Sequence, residues 1–263
     1  MLYSYLIQRF LLMFLTLLGM SIIIFVLLRL VPGNIVDIMF DSAGFVDPAE
    51  KATIEKELGL DLPIYEQYYH WIVGLISFDL GFSYVSEMPA VDEIGPRIPI
   101  TAKLAALSLF FSILFGLPLG VISAVKQNTA LDYALRVVSL SGLSLPSFWL
   151  ALLILMACVS YTGAIPIYTE TPETLWDELL LYLLPSAAVG FRASALIMRL
   201  TRSSMLEVMR QDYIRTAMSK GASDNAINYK HALRNAVLPV TTIIGIEAAF
   251  LIGGLIITET VFN

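Results

Sequence analysis

Charge is scarce in this sequence, and so are the residues that usually hold metals. Asp, Glu, Lys and Arg make up 14% of the 263 residues, against 57% for the hydrophobic types, and mean hydropathy is +0.77. Soluble domains carry more charge and less apolar surface, so this composition argues against a water-soluble enzyme. Sixteen basic residues against twenty-two acidic ones leave a net charge of −6. No global basic field is present to hold nucleic acid, which would need a local basic patch. One cysteine, Cys158, excludes an internal disulfide framework. His70 and His231 are too few, and too far apart in the chain, to make a Cys/His zinc site with it. Carboxylate-rich sites stay open in principle, but no metal-binding signature is present.

What the sequence has in quantity is long apolar runs. A helix crosses about 30 Å of hydrocarbon with about 20 mostly apolar residues, and five stretches meet that length. Phe10–Leu28 and Leu104–Val125 lack Asp, Glu, Lys and Arg, and Val137–Thr169 lacks them over more than one crossing requires. Leu179 to about Leu200 contains Arg192 and Arg199, and Val237–Thr258 contains Glu247. The first stretch is longer than a signal-peptide core and no A-x-A-like site follows it, so it reads as a retained span.

The charges outside these runs are sorted by sign, which predicts orientation because cytoplasmic loops keep Lys and Arg. Arg9 precedes the first span, and Lys126 and Arg136 flank the turn between the second and third. Arg199, Arg202, Arg210, Arg215, Lys220, Lys230 and Arg234 fall between the fourth and fifth. These segments are expected inside. Val31–Ile100 carries twelve acidic residues against Lys51, Lys56 and Arg97, and Ile165–Glu178 has four acidic residues and no basic one. Both are expected outside, with the N-terminus inside and Glu259–Asn263 on the outer face.

Within the long outer loop, Asp47-Pro48-Ala49-Glu50 reads as a helix start and Gly59 as its stop, with Ile54 and Leu58 on one face. From Pro63 to Ser77, Ile64, Tyr68, Trp71, Ile72 and Leu75 recur at helical spacing, with Tyr65 and Tyr69 alongside. That pattern suits a helix lying in the headgroup zone or one packed against the spans. Between spans four and five, Met205, Met209, Tyr213 and Ala217, flanked by Val208 and Thr216, predict one amphipathic helix ending at Gly221. Ala222-Ser223-Asp224 can cap a second short helix through Ile227, Tyr229 and His231. Such a helix-turn-helix can rest on lipid headgroups or insert into a protein partner. Gly221 is in the first case an ordinary helix C-cap, and Arg215 and Lys220 would then meet lipid phosphate. Pro146 predicts a kink or break in the third run, while Gly116 and Gly120 point to close helix contact. Cys158 reads as an apolar filler and His231 as a solvated or docking residue.

Asp212-Tyr213-Ile214-Arg215-Thr216-Ala217-Met218-Ser219-Lys220-Gly221, followed by His231-Ala232-Leu233-Arg234-Asn235-Ala236-Val237-Leu238-Pro239, resembles the cytoplasmic coupling loop of bacterial ATP-binding-cassette importer permeases. Arg215-Thr216-Ala217 in place of Glu-Ala-Ala, and the longer gap from Gly221 to Pro239, resemble the dipeptide, oligopeptide and nickel branch. Further similar text is spread through Arg29-Leu30-Val31-Pro32-Gly33, Leu58-Gly59-Leu60-Asp61, Asp79-Leu80-Gly81-Phe82-Ser83, Leu143–Trp149 and Glu259-Thr260-Val261-Phe262.

The resemblance implies an all-α, polytopic permease of the type I importer fold, with five spans here where the family usually has six, a further span being expected past Phe262. It divides the chain into a first transmembrane helix (1–31), an external loop with short helices (32–100) and the importer transmembrane domain (101–263), whose coupling loop covers about 203–235. It implies import of di- or oligopeptides, with nickel, glutathione or oligosaccharide as alternative cargo. Implied partners are a second, similar permease, two ATPase subunits and an external solute-binding protein in the bacterial inner membrane, with no nucleic acid. The chain itself would be non-catalytic and bind no cofactor, ATP and Mg²⁺ belonging to the ATPases. Tyr213, Arg215, Thr216, Ala217, Lys220, Gly221, His231, Arg234 and Asn235 would form the ATPase-coupling site. Ionisable residues at membrane depth cost about 2.5 to 3.5 kcal/mol on insertion scales and so usually face a cavity or a partner. Arg192 and Glu247 lie at similar depths, about 12 Å and 12 to 15 Å from the inner ends of their spans, and are candidates to pair along the translocation pathway. An intramembrane enzyme would need a nucleophile–base or metal constellation, and no histidine falls in the five runs. A receptor or scaffold would not need the coupling loop.

Overall fold

The computed structural model describes residues 2–31, 33, 36–37, 48–84, 86–162 and 175–255. The Asp47 cap, the outer segment from Ile165 to Thr174 and the Glu259–Phe262 text lie outside the described residues. The chain divides into two compact units, Met1–Pro96 and Arg97–Asn263.

In the first unit, α1 (Leu2–Leu30) starts eight residues before the apolar run. Arg9 marks the edge of the run but is a good helix former, so it does not end the helix. The helix α2 (Pro48–Glu57) stops where expected. Gly59 adopts φ +63°, its N–H donates to the Lys56 carbonyl at 3.1 Å and the Leu60 N–H reaches back to the Glu55 carbonyl at 2.9 Å. This is a Schellman closure, which needs a left-handed residue and therefore favours glycine. In α3 (Ile64–Ile76), Tyr68 and Trp71 pack on Phe25 of α1 with ring centroids 5.4 and 5.7 Å away. The Ser21 and Tyr68 hydroxyls are 2.8 Å apart. One side of α3 is thus held on α1, while Tyr65 and Tyr69 stay exposed. A hairpin of two-residue strands, β1 (Phe82–Ser83) and β2 (Met88–Pro89), pairs Phe82 with Pro89 and Ser83 with Met88. It is too short to leave an alternating pattern in the sequence. The unit closes with α4 (Ala90–Ile94).

The second unit contains α5 (Arg97–Val125), α6 (Ala130–Ser144), α7 (Ser147–Thr162), α8 (Leu175–Val208), α9 (Asp212–Ser219), a π-helix (Ala226–Ala232) and α10 (Leu233–Gly254). Its spine is the pair α5 and α8, which pack along each other. The approach is close because glycines leave the space. A Cβ on Gly120 would sit 2.6 Å from Thr201 Cβ and 2.7 Å from the Met198 carbonyl oxygen, and one on Gly116 would sit 2.7 Å from the Ser194 oxygen. This is packing through small residues, as membrane helices without a hydrophobic driving force between them require. On the other side of α8, the buried Ser139 hydroxyl of α6 donates to the Ala195 carbonyl at 3.0 Å.

The third apolar run is two helices. Leu145 is extended, with φ −86° and ψ 131°, as a residue before proline prefers. The Pro146 carbonyl then accepts from Trp149 and Leu150 at 3.1 Å to start α7. The bend between α6 and α7 is 104°. Among the described residues, four helical segments are long and apolar enough to cross a membrane (α1, α5, α8 and the π-helix with α10), and the bent α6–α7 pair, taken as one span, makes a fifth. The chain is an all-α, multi-pass membrane protein. As α1 does, α5 and α8 begin ahead of their apolar runs, at Arg97 and Leu175 instead of Leu104 and Leu179. α8 runs to Val208 instead of about Leu200, because Arg199 and Arg202 are compatible with helix and mark only the edge of the apolar run. α10 begins at Leu233, four residues ahead of Val237, for the same reason at Arg234.

Candidate coupling site

The segment after α8 departs from the single amphipathic helix expected through Met205, Met209, Tyr213 and Ala217. Arg210 and Gln211 N–H groups close tight turns onto the Glu207 and Val208 carbonyls at 3.2 and 3.0 Å, and Gln211 is extended (φ −72°, ψ 149°). No glycine or proline forces this break. Its effect is to turn Ile214 inward, where it is fully buried with Val121, Ala124, Met205, Ile227, Ala232 and Ala236. Burying an isoleucine is favourable by about 1.5 to 3 kcal/mol, enough to outweigh local helix propensity. Tyr213 is correspondingly 42% exposed, and its hydroxyl accepts a hydrogen bond from Asn235 Nδ2 at 2.7 Å.

The rest of α9 faces outward. Asp212, Arg215, Thr216, Met218, Ser219 and Lys220 are exposed and Ala217 is half-buried. The Thr216 hydroxyl donates to the Asp212 carbonyl at 3.0 Å, and Arg215 Nη1 lies 3.5 Å from Asp212 Oδ1. The helix ends in a second Schellman closure: Gly221 N–H to the Met218 carbonyl at 2.9 Å and Ala222 N–H to the Ala217 carbonyl at 3.2 Å. Gly221 has φ +77°, and a Cβ there would meet nothing within 4 Å. The requirement is for backbone conformation and not for space. The following helix begins where Ser223 accepts from the Ile227 N–H through its carbonyl at 2.9 Å and from the Ala226 N–H through its hydroxyl at 3.4 Å. It is a π-helix continuous with α10, whereas a separate short helix was expected. His231 is half-buried on it, Arg234 is exposed on α10, and Asn228 is buried. Of the nine coupling candidates, Tyr213 and Asn235 are joined directly. Arg215, Thr216, Ala217, Lys220 and Gly221 share α9 and its cap, while His231 and Arg234 stand on the returning helix.

Arg192 and Glu247, 55 positions apart, are brought together between α8 and α10 with Nη1 3.8 Å from Oε2. The surroundings are unequal: the arginine side chain is 52% exposed and the glutamate side chain 5%.

A third ionic site escaped the sequence reading. Asp132, at the start of α6, is fully buried and accepts from Arg202 twice, Nε to Oδ1 at 2.8 Å and Nη2 to Oδ2 at 2.9 Å. Ser123 at the end of α5 donates to Oδ1 at 2.6 Å, and the Asn128 N–H donates to Oδ2 at 2.9 Å. Arg136, one turn along α6, lies 3.7 Å away. Every acceptor position of the carboxylate is met, the condition under which a buried ion pair holds together. The one available signal was Thr129-x-x-Asp132. Thr129 is the N-cap and accepts from the Asp132 N–H at 3.4 Å, but the aspartate reaches Arg202 instead of closing a capping box. Among the described residues, no group of three or more His, Cys, Asp or Glu is placed to hold a metal ion.

Residues 1–105 match the model of the N-terminal membrane component of binding-protein-dependent transport systems. Residues 116–263 match the binding-protein-dependent transport system inner membrane component. The chain belongs to this family. Dipeptide transport system permease protein DppB of Alkalihalophilus pseudofirmus is 35% identical, over 99% of this chain and 84% of its own. DppB of Escherichia coli K12 is 34% identical over 94% and 80%. Glutathione transport system permease protein GsiC of Escherichia coli O6:H1 is 35% identical over 99% and 82%. In this inner membrane component, α9 and its glycine cap form an exposed helix-turn anchored by the fully buried Ile214.

Proposed function

We propose that this chain is one of two pore-forming subunits of an ATP-driven importer of short peptides in the bacterial inner membrane, with its N-terminus cytoplasmic. The observation that carries the reading is the similarity to dipeptide and glutathione permeases over nearly the whole chain. Those two cargo classes share a short peptide backbone bearing both an ammonium and carboxylates. A glutathione-like tripeptide is the second reading, supported by relatives as similar as the dipeptide permeases. ATP and Mg²⁺ act on separate ATPase subunits, and an external binding protein delivers the cargo. The chain performs no covalent chemistry.

Coupling runs through α9. Its exposed Asp212, Arg215, Met218 and Lys220 form the face offered to an ATPase, and the buried Ile214, with the Tyr213–Asn235 bond, makes the helix a rigid lever instead of a loose loop. Arg192 and Glu247 brace the translocation pathway. The domain organisation follows as a first span, an outer segment to about residue 100 and the importer domain beyond.

The test is co-expression with the neighbouring transport subunits, affinity purification in mild detergent, and measurement of ATPase activity. Wild type brings down a second permease and two ATPases. Because Gly221 requires φ near +77° but no space, Gly221→Asn keeps assembly. Gly221→Val, a β-branched residue for which the left-handed region costs about 1 to 2 kcal/mol or more, weakens it. A wild-type chain that purifies alone, or Asn and Val variants that behave alike, sinks the reading of α9.

A further inference from the structure

The buried Asp132 site lies outside the machinery described so far, yet it occupies the same end of the α5–α8 spine as the anchor of α9. Ser123 and Val121/Ala124 are on one turn of α5, and Arg202 and Met205 are on one turn of α8. One set of side chains grips α9 through Ile214, and the adjacent set grips α6 through Asp132. The spine between them is held at van der Waals limits by Gly116 and Gly120. α6 in turn leads into the 104° break at Pro146 and on to α7. A surface brace would be half-solvated and loosely oriented. Here the carboxylate is fully buried, the arginine presents its planar fork bidentately, and a hydroxyl and a backbone N–H fill the remaining acceptor positions. This arrangement fixes direction as well as distance.

We infer that the Asp132–Arg202 pair is the joint that makes α6 move with α5, α8 and α9 as one body, so that displacement of α9 by the ATPases reaches the α6–α7 bend. Asp132 and Arg202 are positioning residues: they touch neither cargo nor ATPase and act through the helices they lock. The inference rests on the coupling role proposed for α9. The fork geometry, and not the charge alone, sets how α6 sits on the spine. A salt bridge needed only for folding loses import no further than it loses assembled complex, whereas a joint that sets orientation loses import in a complex that still assembles and hydrolyses ATP.

Arg202→Lys therefore separates the two, since lysine keeps the charge and loses the fork. The complex is reconstituted with its ATPases, second permease and binding protein in proteoliposomes. Import of radiolabelled alanyl-alanine is measured against ATP hydrolysed. Expected are an intact complex and near wild-type, binding-protein-stimulated ATP hydrolysis in Arg202→Lys. Import per ATP falls about tenfold, the scale of losing one charge-assisted hydrogen bond, and at least as far in Asp132→Asn. Unchanged import per ATP in Arg202→Lys overturns the joint. So does parallel loss of assembly and ATPase activity in Arg202→Lys, which would make the pair a folding brace only. If the wild-type complex hydrolyses ATP without importing the dipeptide, the cargo reading fails separately. Hydrogen exchange with and without vanadate trapping then tests the joint. Residues 128–136 and 205–214 change protection together in wild type, and the first segment ceases to follow the second in Arg202→Lys. Independent changes in wild type overturn the inference.

Discussion

Arg192 and Glu247 meet at 3.8 Å, but removing either is not equivalent. Without Arg192, a carboxylate side chain only 5% exposed loses its counter-charge, a situation that in buried pairs costs about 3 to 5 kcal/mol. Without Glu247, a guanidinium 52% exposed on α8 keeps room to turn toward the water of the translocation pathway proposed above, where solvated pairs are worth only about 0.2 to 1 kcal/mol. Arg192→Ala is therefore expected to lower the thermal stability of the detergent-purified chain by several degrees, and Glu247→Gln by much less. Equal shifts would mean that Glu247 depends on its partner no more than Arg192 does, against the unequal burial of the two side chains. Both residues were legible as ionisable groups stranded in apolar runs. Asp132 was not, because it stands at the edge of a run where charge is ordinary, and its partner is 70 positions away. Gly221 was legible as a helix stop, since a left-handed cap is a local backbone requirement.

At the scale of elements, the glycines of the α5–α8 contact and of α10 make opposite predictions. Gly120→Ala places a Cβ 2.7 Å from a backbone oxygen, and forcing the helices apart costs about 1 to 3 kcal/mol. Gly245 has nothing within 4 Å, so Gly245→Ala removes a flexible residue from a helix and is neutral or stabilising by about 0.5 to 1 kcal/mol. Melting monitored by size exclusion in detergent checks both, and a Gly120→Ala chain as stable as wild type would mean the helices are not so close. Element types were readable wherever a residue acts on its own backbone: Pro146 broke the third run and Gly59 ended α2. The end of α8 was not readable, because nothing in Met209–Gln211 breaks a helix. The turn exists because Ile214 finds a buried place among residues contributed by α5, α8, the π-helix and α10.

For the whole molecule, the sign asymmetry of the loops makes a prediction of topology. In a Cys158→Ser background, a membrane-impermeant maleimide applied to right-side-out vesicles should label Tyr69→Cys and not Ser219→Cys, and inverted vesicles should reverse the pattern. Labelling of Ser219→Cys from outside would invert the orientation and remove α9 from reach of any cytoplasmic ATPase. The sequence by itself determined the class, the number of apolar crossings and the position of the exposed helix-turn. Those follow from composition and from the hydropathy and backbone preferences of neighbouring residues, which act within one or two helical turns. The register of α5 on α8, the inward turn of Ile214 and the Asp132–Arg202 pair were decided only in the tertiary structure. Each depends on groups tens of residues apart, whose energies exist only once close packing removes them from water and brings them within a few ångströms.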